Sequence, residues 1–203
     1  MVRRAIARLG VVLLLVSMFC SLDRVNGQCP ATIDEKVRSA TVYIDQTGTG
    51  KSTGVFVGPG KILTAHHCVS GTGTVWVWHC NSTRYSVGTV EKVDREHDLA
   101  LLSIREECTP DPLCLAGSEV GAGNEVITTG WGDDATNLSV WRMKDAGVFD
   151  HRRKTDTMGR NGRSGGPVTN AKGQIVGIWY GNLTQEKQGL YCELSYIRTL
   201  LKD

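Results

Sequence analysis

Three short segments contain a histidine, an aspartate and a serine that together could hydrolyse an acyl bond. In chain order they are His67 in TAHHC (64–68), Asp98 in DLALL (98–102) and Ser164 in GRSGGP (162–167). A serine hydroxyl is a weak nucleophile at neutral pH, so it needs a base within hydrogen-bond reach and a group that orients this base. The residue types predict Ser164 as nucleophile, His67 as base and Asp98 as its partner.

The glycines around Ser164 allow the backbone to make a tight turn. Such a turn can aim two N–H groups at one point, where they stabilise the negative charge of a tetrahedral intermediate. We predict an oxyanion hole formed by the backbone N–H groups of Gly162 and Ser164. Each segment alone could be structural: a plain loop, a strand cap at Asp98 or a packed histidine at His67. Only the combination favours hydrolysis.

Short β-rich runs between turn signals must position these residues, because helical periodicity is nearly absent. This spacing is typical of an all-β sandwich or barrel. The runs are Ala40–Ile44, Gly54–Val57, Thr74–Trp78, Tyr85–Val93, Leu99–Ile104, Glu125–Thr129, Trp141–Phe149, Pro167–Thr169, Ile175–Trp179 and Leu190–Leu194. One helix is predicted near Ser195–Leu201, a crossover between two half-domains at Gly117–Gly123, and a solvated loop or edge at the basic run 151–154.

The three motifs, in this order and within these runs, resemble those of the chymotrypsin/trypsin-like serine proteases. The resemblance covers nearly the whole chain after residue 27 and includes GVFV (54–57), TTGWG (128–132) and GIWYG (177–181). It implies an all-β fold of two packed six-stranded antiparallel β-barrels with a short C-terminal helix. The first barrel, residues 28–118, would carry His67 and Asp98, and the second, residues 119–203, would carry Ser164. The family's histidine directly precedes the cysteine, which selects His67 over His66.

One departure from the digestive members of this family concerns activation. Arg163 precedes the serine, where those members have an aspartate that pairs with an N-terminus freed by proteolysis. An arginine cannot pair with an ammonium group, and the chain has no IVGG activation sequence. We therefore expect no zymogen cleavage of that form. The serine loop is more similar to that of the HtrA-type branch, although no PDZ domain follows it.

A second departure concerns the primary substrate pocket. The resemblance places Met158 at its floor and Gly181 and Gly189 at its walls. Methionine offers no counter-charge, so burying a substrate Lys or Arg would be costly. We predict cleavage after small aliphatic to medium apolar residues, with the substrate paired as a strand along Tyr180–Asn182. Asp156 would form the floor only with a local insertion.

Residues 1–27 have the pattern of a secretion signal. Three arginines precede an apolar run over 9–19, and small residues at 25 and 27 fit a cleavage site. A membrane anchor is the alternative, disfavoured because the run is short. The chain's formal charge is +2 and residues 1–27 contribute +3, which leaves −1 for the remainder. This balance gives no electrostatic reason to expect nucleic-acid binding.

We therefore predict a secreted, extracellular serine endopeptidase that acts on protein or peptide substrates. The chemistry requires no cofactor and no metal, and no membrane association is expected once the signal is removed. Sequons at Asn81, Asn137 and Asn182 permit glycosylation. The sequence makes no prediction about the oligomeric state.

Six cysteines follow the signal, an even number that suggests disulfides in a secreted chain. Their pairing is open from the sequence alone. The resemblance implies a bridge between Cys29 and Cys114. The family's usual upstream partner of Cys68 is missing here, so Cys80, at the end of the next strand, is the nearest candidate, and Cys108 and Cys192 remain as the third pair.

Three alternatives differ from a constitutively active protease. A silent family member could serve as a binding module, but such proteins usually lose a triad residue and none is lost here. A latent enzyme could be switched on by a partner. A zinc site from His66, His67, His79 and Cys80 is the third, disfavoured because no metal-ligand spacing recurs elsewhere.

Overall fold

Antiparallel strands close into two six-stranded β-barrels in the computed structural model, which describes residues 32–79, 84–105, 110–132 and 137–202. Both barrels belong to one compact unit that begins at Thr32. The predicted all-β architecture of two barrels with a C-terminal helix is thus confirmed. The segment 1–27, interpreted as a signal, lies outside the described residues, and the domain boundary between 118 and 119 stays a prediction. No helix in the described ranges is long and apolar enough to cross a membrane.

The first barrel forms because its strands alternate apolar and polar residues. In the segment VWVWH, the side chains of Val75, Val77 and His79 point inward and the two tryptophans lie at the surface. The strands are β1 (Thr41–Gln46), β2 (Gly50–Gly58), β3 (Lys61–Ala65), β4 (Val75–His79), β5 (Arg84–Asp94) and β6 (Leu99–Ser103). Their order around the barrel is β1-β2-β3-β6-β5-β4, and pairing of β4 with β1 closes it.

The second barrel repeats this order of strands. Its strands are β7 (Glu125–Trp131), β8 (Leu138–Phe149), β9 (Arg152–Thr155), β10 (Pro167–Thr169), β11 (Ile175–Leu183) and β12 (Gln188–Cys192). They are arranged β10-β11-β12-β9-β8-β7, closed by pairing of β10 with β7. Val126, Met143, Val168, Trp179 and Tyr191 are buried in its core.

The structure contradicts the interpretation of the basic run at 151–154 as a solvated loop or edge. It contains β9, which is paired on both sides, and Arg153 is buried. Arg153 donates from Nε and Nη2 to the two carboxylate oxygens of buried Asp145, at 2.8 and 2.7 Å, and the Tyr191 hydroxyl donates to the same carboxylate at 2.5 Å. Burial opposes ionisation of Asp145, but these donors outweigh it and hold its pKa below the ordinary value. Arg153 can be buried because Asp145, on the neighbouring strand β8, compensates its charge.

Two helices flank the barrels. The second, α2 (Leu194–Lys202), matches the predicted C-terminal helix. The first, α1 (Ile33–Ala40), was missed, although its start carries a capping box: the Thr32 hydroxyl accepts from the N–H of Glu35, and the Glu35 carboxylate accepts from the N–H of Thr32.

Candidate active site

The pairing of β3 with β6 brings His67 and Asp98 together. His67 lies in a short 3-10 turn (His66–Val69) after β3, and Asp98 lies directly before β6, so the paired strands place both at the same end of the barrel. Asp98 Oδ2 is 2.5 Å from His67 Nδ1, and Oδ1 accepts from the His67 backbone N–H at 2.8 Å. The N–H of His66 donates to the Asp98 carbonyl at 3.0 Å. This arrangement fixes the orientation of the imidazole.

The side chains of His67 and Asp98 differ in exposure, as expected for a base and the carboxylate that orients it. The Asp98 side chain is 10% exposed and that of His67 is 47% exposed, so the carboxylate is sheltered while the ring faces the solvent. The hydrogen bond that the ring of His67 donates to Asp98 is the main cause that raises the pKa of His67 above its ordinary value, and a hydrogen bond with Cys68 is the second. His66 has no such contact with a carboxylate side chain among the described residues.

The loop that carries Ser164 is held against the first barrel by Thr53 of β2. The N–H of Thr53 donates to the Ser164 carbonyl at 2.9 Å, and its hydroxyl donates to the Gly162 carbonyl at 2.8 Å. The same hydroxyl accepts from the N–H of Trp131 at 3.1 Å. Gly165 has φ +83°, and a Cβ at this position would collide with Thr53 and Thr64. The sequence motif did not reveal Thr53, because its contacts join residues 78 and 109 positions away.

The hydrogen bonds from Thr53 use the carbonyls of Gly162 and Ser164 and not the two N–H groups assigned to the oxyanion hole. Within the described part of the chain, neither the N–H of Gly162 nor that of Ser164 donates to another protein atom. Gly162 adopts φ +79°, a backbone conformation that favours glycine. The carbonyl of Arg163 accepts from the N–H of Gly166 at 2.8 Å. Because the C=O and N–H of a trans peptide point in opposite directions, the N–H of Ser164 points away from this contact. Both N–H groups are therefore available to an acceptor from outside the described chain.

The Ser164 hydroxyl is directed toward strand β11. Its Oγ donates to the Tyr180 carbonyl at 3.2 Å, and in the described residues it makes no hydrogen bond with His67. The ring of Tyr180 contacts His67 edge to face, with centroids 5.8 Å apart, and the guanidinium of Arg152 stacks on Tyr180 at 4.1 Å. The contact between His67 and Asp98 is thus formed, whereas the Ser164 hydroxyl is bonded to Tyr180.

Arg163 is fully buried next to Ser164. Its guanidinium donates to the Thr128 carbonyl at 3.3 Å and to the Ser139 hydroxyl at 2.6 Å, and it lies 5.4 Å from the Trp141 ring centroid. Nε has no partner, and no carboxylate within the described chain pairs with the group. Burial, with repulsion from Arg160, lowers its pKa to about 10. The arginine anchors the loop from the second barrel through neutral groups.

A cavity of about 540 Å³ lies beside the serine loop. Its lining consists of Gly132, Met158, Gly159, Arg160, Asn161, Asn182 and Thr184. Met158 and Asn182, two of the residues assigned to the substrate pocket, thus line one cavity. The side-chain amide of Asn182 accepts from the N–H of Gly159 at 2.9 Å and donates to its carbonyl at 3.1 Å, which ties the two sides together.

Tyr180, Gly181 and Gly189 are not among the residues that line this cavity, and the indole of Trp179 occupies the space beside Gly189. Tyr180 packs on His67, and Gly181 faces open space. Gly189 does not leave the wall open, because the buried indole of Trp179 lies against it. A Cβ on Gly159 would be 2.6 Å from the same indole. Trp179 therefore fills the space between the two glycines, which the sequence could not show.

The three predicted disulfides stay a prediction. Cys68, Cys114 and Cys192 are free thiols, and the cysteines assigned to them, Cys29, Cys80 and Cys108, lie outside the described residues. Cys68 and Cys192 are buried in the barrel cores, where a thiol packs as a small apolar group. Burial raises the pKa of Cys192 to about 12.

The three sequons have different surroundings. Asn81 lies outside the described residues, and Asn137 is exposed. Asn182 is a poor glycosylation site, because both polar atoms of its side-chain amide are hydrogen-bonded to Gly159.

The described residues do not support the alternative zinc site. His67 contacts Asp98, while buried His79 contacts the Ser86 hydroxyl at 2.8 Å. Cys80 lies outside the described residues.

Comparison with known proteins finds relatives among proteases. The magnetosome formation protease MamE of Magnetospirillum gryphiswaldense is 34% identical over 145 residues, which cover 62% of this chain and 18% of that protein. The glutamyl endopeptidase of Staphylococcus aureus is 26% identical over 177 residues, which cover 77% of this chain and 54% of that protein. The chain thus spans at most about half the length of these relatives.

The fold has close counterparts among solved structures. The Rv3671c protease of Mycobacterium tuberculosis in its active form superposes with a TM-score of 0.75 at 19% identity, covering 83% of this chain and 82% of that one. The family model described as a trypsin-like peptidase domain matches residues 52–178, more than half of the chain and a range that includes His67, Asp98 and Ser164. This chain therefore belongs to the trypsin-like peptidase family.

Proposed function

We propose that this chain is a secreted serine endopeptidase that cleaves peptide bonds through an acyl-enzyme. The observation that carries the proposal is a carboxylate-oriented histidine, His67, beside a serine loop that presents two unpaired N–H groups. The family membership supports the same class of reaction. The proposal needs no cofactor or metal, because serine, imidazole and backbone amides supply the nucleophile, the base and the charge stabilisation.

The proposed mechanism begins with rotation of the Ser164 hydroxyl away from the Tyr180 carbonyl. His67 Nε2 then accepts the hydroxyl proton while Oγ attacks the carbonyl carbon of the substrate. The new oxyanion accepts from the N–H groups of Gly162 and Ser164. His67 returns the proton to the departing amine, and a water molecule hydrolyses the ester by the same steps. Asp98 stabilises the imidazolium throughout.

The serine loop has a support that does not depend on a new N-terminus. Thr53 binds two of its carbonyls, and buried Arg163 fastens it to Thr128 and Ser139. We expect activity without cleavage of an N-terminal segment for this reason. A latent enzyme is the second candidate, since the Ser164 hydroxyl is bonded to Tyr180 and not to His67.

The proposed specificity is for small uncharged residues before the scissile bond. Met158 lines the cavity and offers no counter-charge, so a buried substrate cation would remain unpaired. Trp179 packs against Gly159, which lines the same cavity, and limits the space there. The S. aureus relative is named a glutamyl endopeptidase, and Arg160 lines the same cavity. However, the Arg160 guanidinium lies over the Trp141 ring, at 5.7 Å from its centroid. An acidic preference would require Arg160 to leave this contact.

The triad assignment is tested by comparing three alanine variants in a peptide-hydrolysis assay. Ser164→Ala and His67→Ala should abolish turnover and retain the fold by circular dichroism, whereas His66→Ala should retain activity. Activity that survives His67→Ala but not His66→Ala would refute the assignment. Secretion is tested separately by N-terminal sequencing of the exported protein, which should begin at Gln28.

A further inference from the structure

A groove of about 400 Å³ on the outer face of the first barrel is lined by three aromatic rings, a carboxylate and a hydroxyl. Its residues are Asp45, Thr47, Trp76, Trp78 and Tyr85, and we call it the aromatic groove. None of these residues contacts the proposed triad or the substrate cavity in the described structure. The groove is therefore separate from the site of hydrolysis.

The barrel geometry brings the rings together. Strand β4 lies between β1 and β5, and the outward side chains of these three strands form one surface. The Trp76 and Tyr85 ring centroids are 5.3 Å apart with planes at 73°, and those of Trp78 and Tyr85 are 6.0 Å apart at 42°. Rings at these angles form walls of a concave surface instead of a flat stack. Tyr85 is 61% exposed, so its hydrophobic ring faces the solvent.

A single carboxylate completes the groove. Asp45 of β1 lies directly across from Trp76 in the strand pairing. Lys51 lies across from it on the other neighbouring strand. Even so, no ion pair within 4.0 Å involves Asp45 among the described residues. Its negative charge is therefore available to a ligand.

These features favour a cation over an anion or a neutral ligand. The face of an aromatic ring is negative and attracts cations, most strongly for tryptophan. A lysine ammonium is strongly hydrated and carries three N–H donors, which would have to give up water to contact the aromatic rings. A quaternary ammonium group has no N–H donors, and aromatic cages are its usual binding sites. We propose that the aromatic groove binds a quaternary ammonium group, with Trp76, Trp78 and Tyr85 around the cation and Asp45 as its counter-charge.

The test uses choline as the probe and its uncharged tert-butyl isostere as the matched ligand. Both are titrated into the full protein while the indole N–H signals of Trp76 and Trp78 are followed by NMR. Choline should shift both signals saturably, and the isostere should bind at least about fivefold more weakly, because it lacks the charge. Equal binding of the two ligands, or no saturable shift with choline, would overturn the proposal. Co-sedimentation with phosphatidylcholine vesicles, compared with phosphatidylglycerol vesicles, would show whether a lipid headgroup can supply the cation.

Variants at the groove separate the contributions of ring and charge. Tyr85→Ala should weaken choline binding about 5- to 30-fold, whereas Tyr85→Phe, which keeps the ring, should bind as the parent does. Asp45→Asn is isosteric and should weaken binding without changing the fold. Phe149→Ala removes an exposed ring from the other barrel and serves as the control. Unchanged affinity in both Tyr85→Ala and Asp45→Asn would refute the assignment.

Discussion

At the residue scale, His67 depends on a partner that changes its acidity. Asp98 contacts both the ring and the backbone N–H of His67, and this contact raises the pKa of the imidazole. Only the neutral ring can accept the serine proton. The sequence predicted these roles because each residue stands in its own motif. It could not predict that the Ser164 hydroxyl is bonded to Tyr180, because a side-chain rotamer depends on the packed loop.

The pH dependence of activity follows from this pair. Activity should rise with pH as His67 loses its proton, and the midpoint in kcat/KM should lie above the ordinary histidine value of 6.5 because Asp98 favours the charged ring. Asp98→Asn removes that charge, so the midpoint should move to lower pH while kcat falls by about 10³- to 10⁴-fold. A pH–rate profile of both proteins measures this. A midpoint in Asp98→Asn at or above that of the parent would contradict the account.

The hydroxyl of Thr53 should position the oxyanion hole. Thr53→Val keeps the shape but removes the bonds to Gly162 and Trp131, at a cost of about 1–3 kcal/mol in stability. We expect kcat to fall about tenfold or more with little change in KM, because the N–H groups act on the transition state. Thr169→Val is the matched control, since this buried hydroxyl bonds to Ile127 away from the loop. An equal loss of kcat in both variants would mean that Thr53 is only structural.

At the element scale, the alternation of apolar and polar residues predicted most strands. In β4 this alternation matches the inside and outside of the barrel. The prediction failed at β9, whose basic sequence resembles a solvated loop. Pattern analysis treats a charge as exposed, whereas Arg153 is buried by its pairing with Asp145, a residue on the neighbouring strand. Helix α1 could have been predicted, since Thr32 and Glu35 form a capping box.

The buried pair in β8 and β9 should be essential for stability. Arg153→Met leaves the Asp145 carboxylate uncompensated in the core and should cost about 3–5 kcal/mol in the free energy of unfolding. Lys154→Met, a change of the same type on the next residue, should cost far less. Urea denaturation followed by circular dichroism measures both values. A loss below about 1 kcal/mol for Arg153→Met would contradict a role for the pair in the core.

At the scale of the whole molecule, the site depends on contacts between the barrels. His67 and Asp98 come from the first barrel, and the loop of Ser164 comes from the second but is bound by Thr53 of the first. The family resemblance predicted this division. The packing of Trp179 against Gly159 and Gly189 could not be predicted, because it depends on where these glycines lie after folding.

The position of Trp179 predicts how selectivity can be changed. Trp179→Leu should enlarge the space beside Gly189 and raise kcat/KM for substrates with Leu or Phe before the scissile bond, relative to Ala, by about tenfold or more. Trp76→Leu on the outer face of the first barrel is the matched control and should leave this ratio unchanged. A peptide-library profile of each protein gives the measurement. A parent profile dominated by Lys or Arg would instead place Asp156 at the floor.

Labelling with a serine-directed fluorophosphonate tests the central claim most directly. The reagent reacts only with a serine that is activated by its base and oxyanion hole. We predict that the protein reacts alone, one label per chain, that mass spectrometry finds the label on Ser164, and that Ser164→Ala and His67→Ala remain unlabelled. Labelling only after a partner is added would indicate the latent enzyme. No labelling under any condition, or a label on another residue, would contradict the assignment of this site as a serine protease centre.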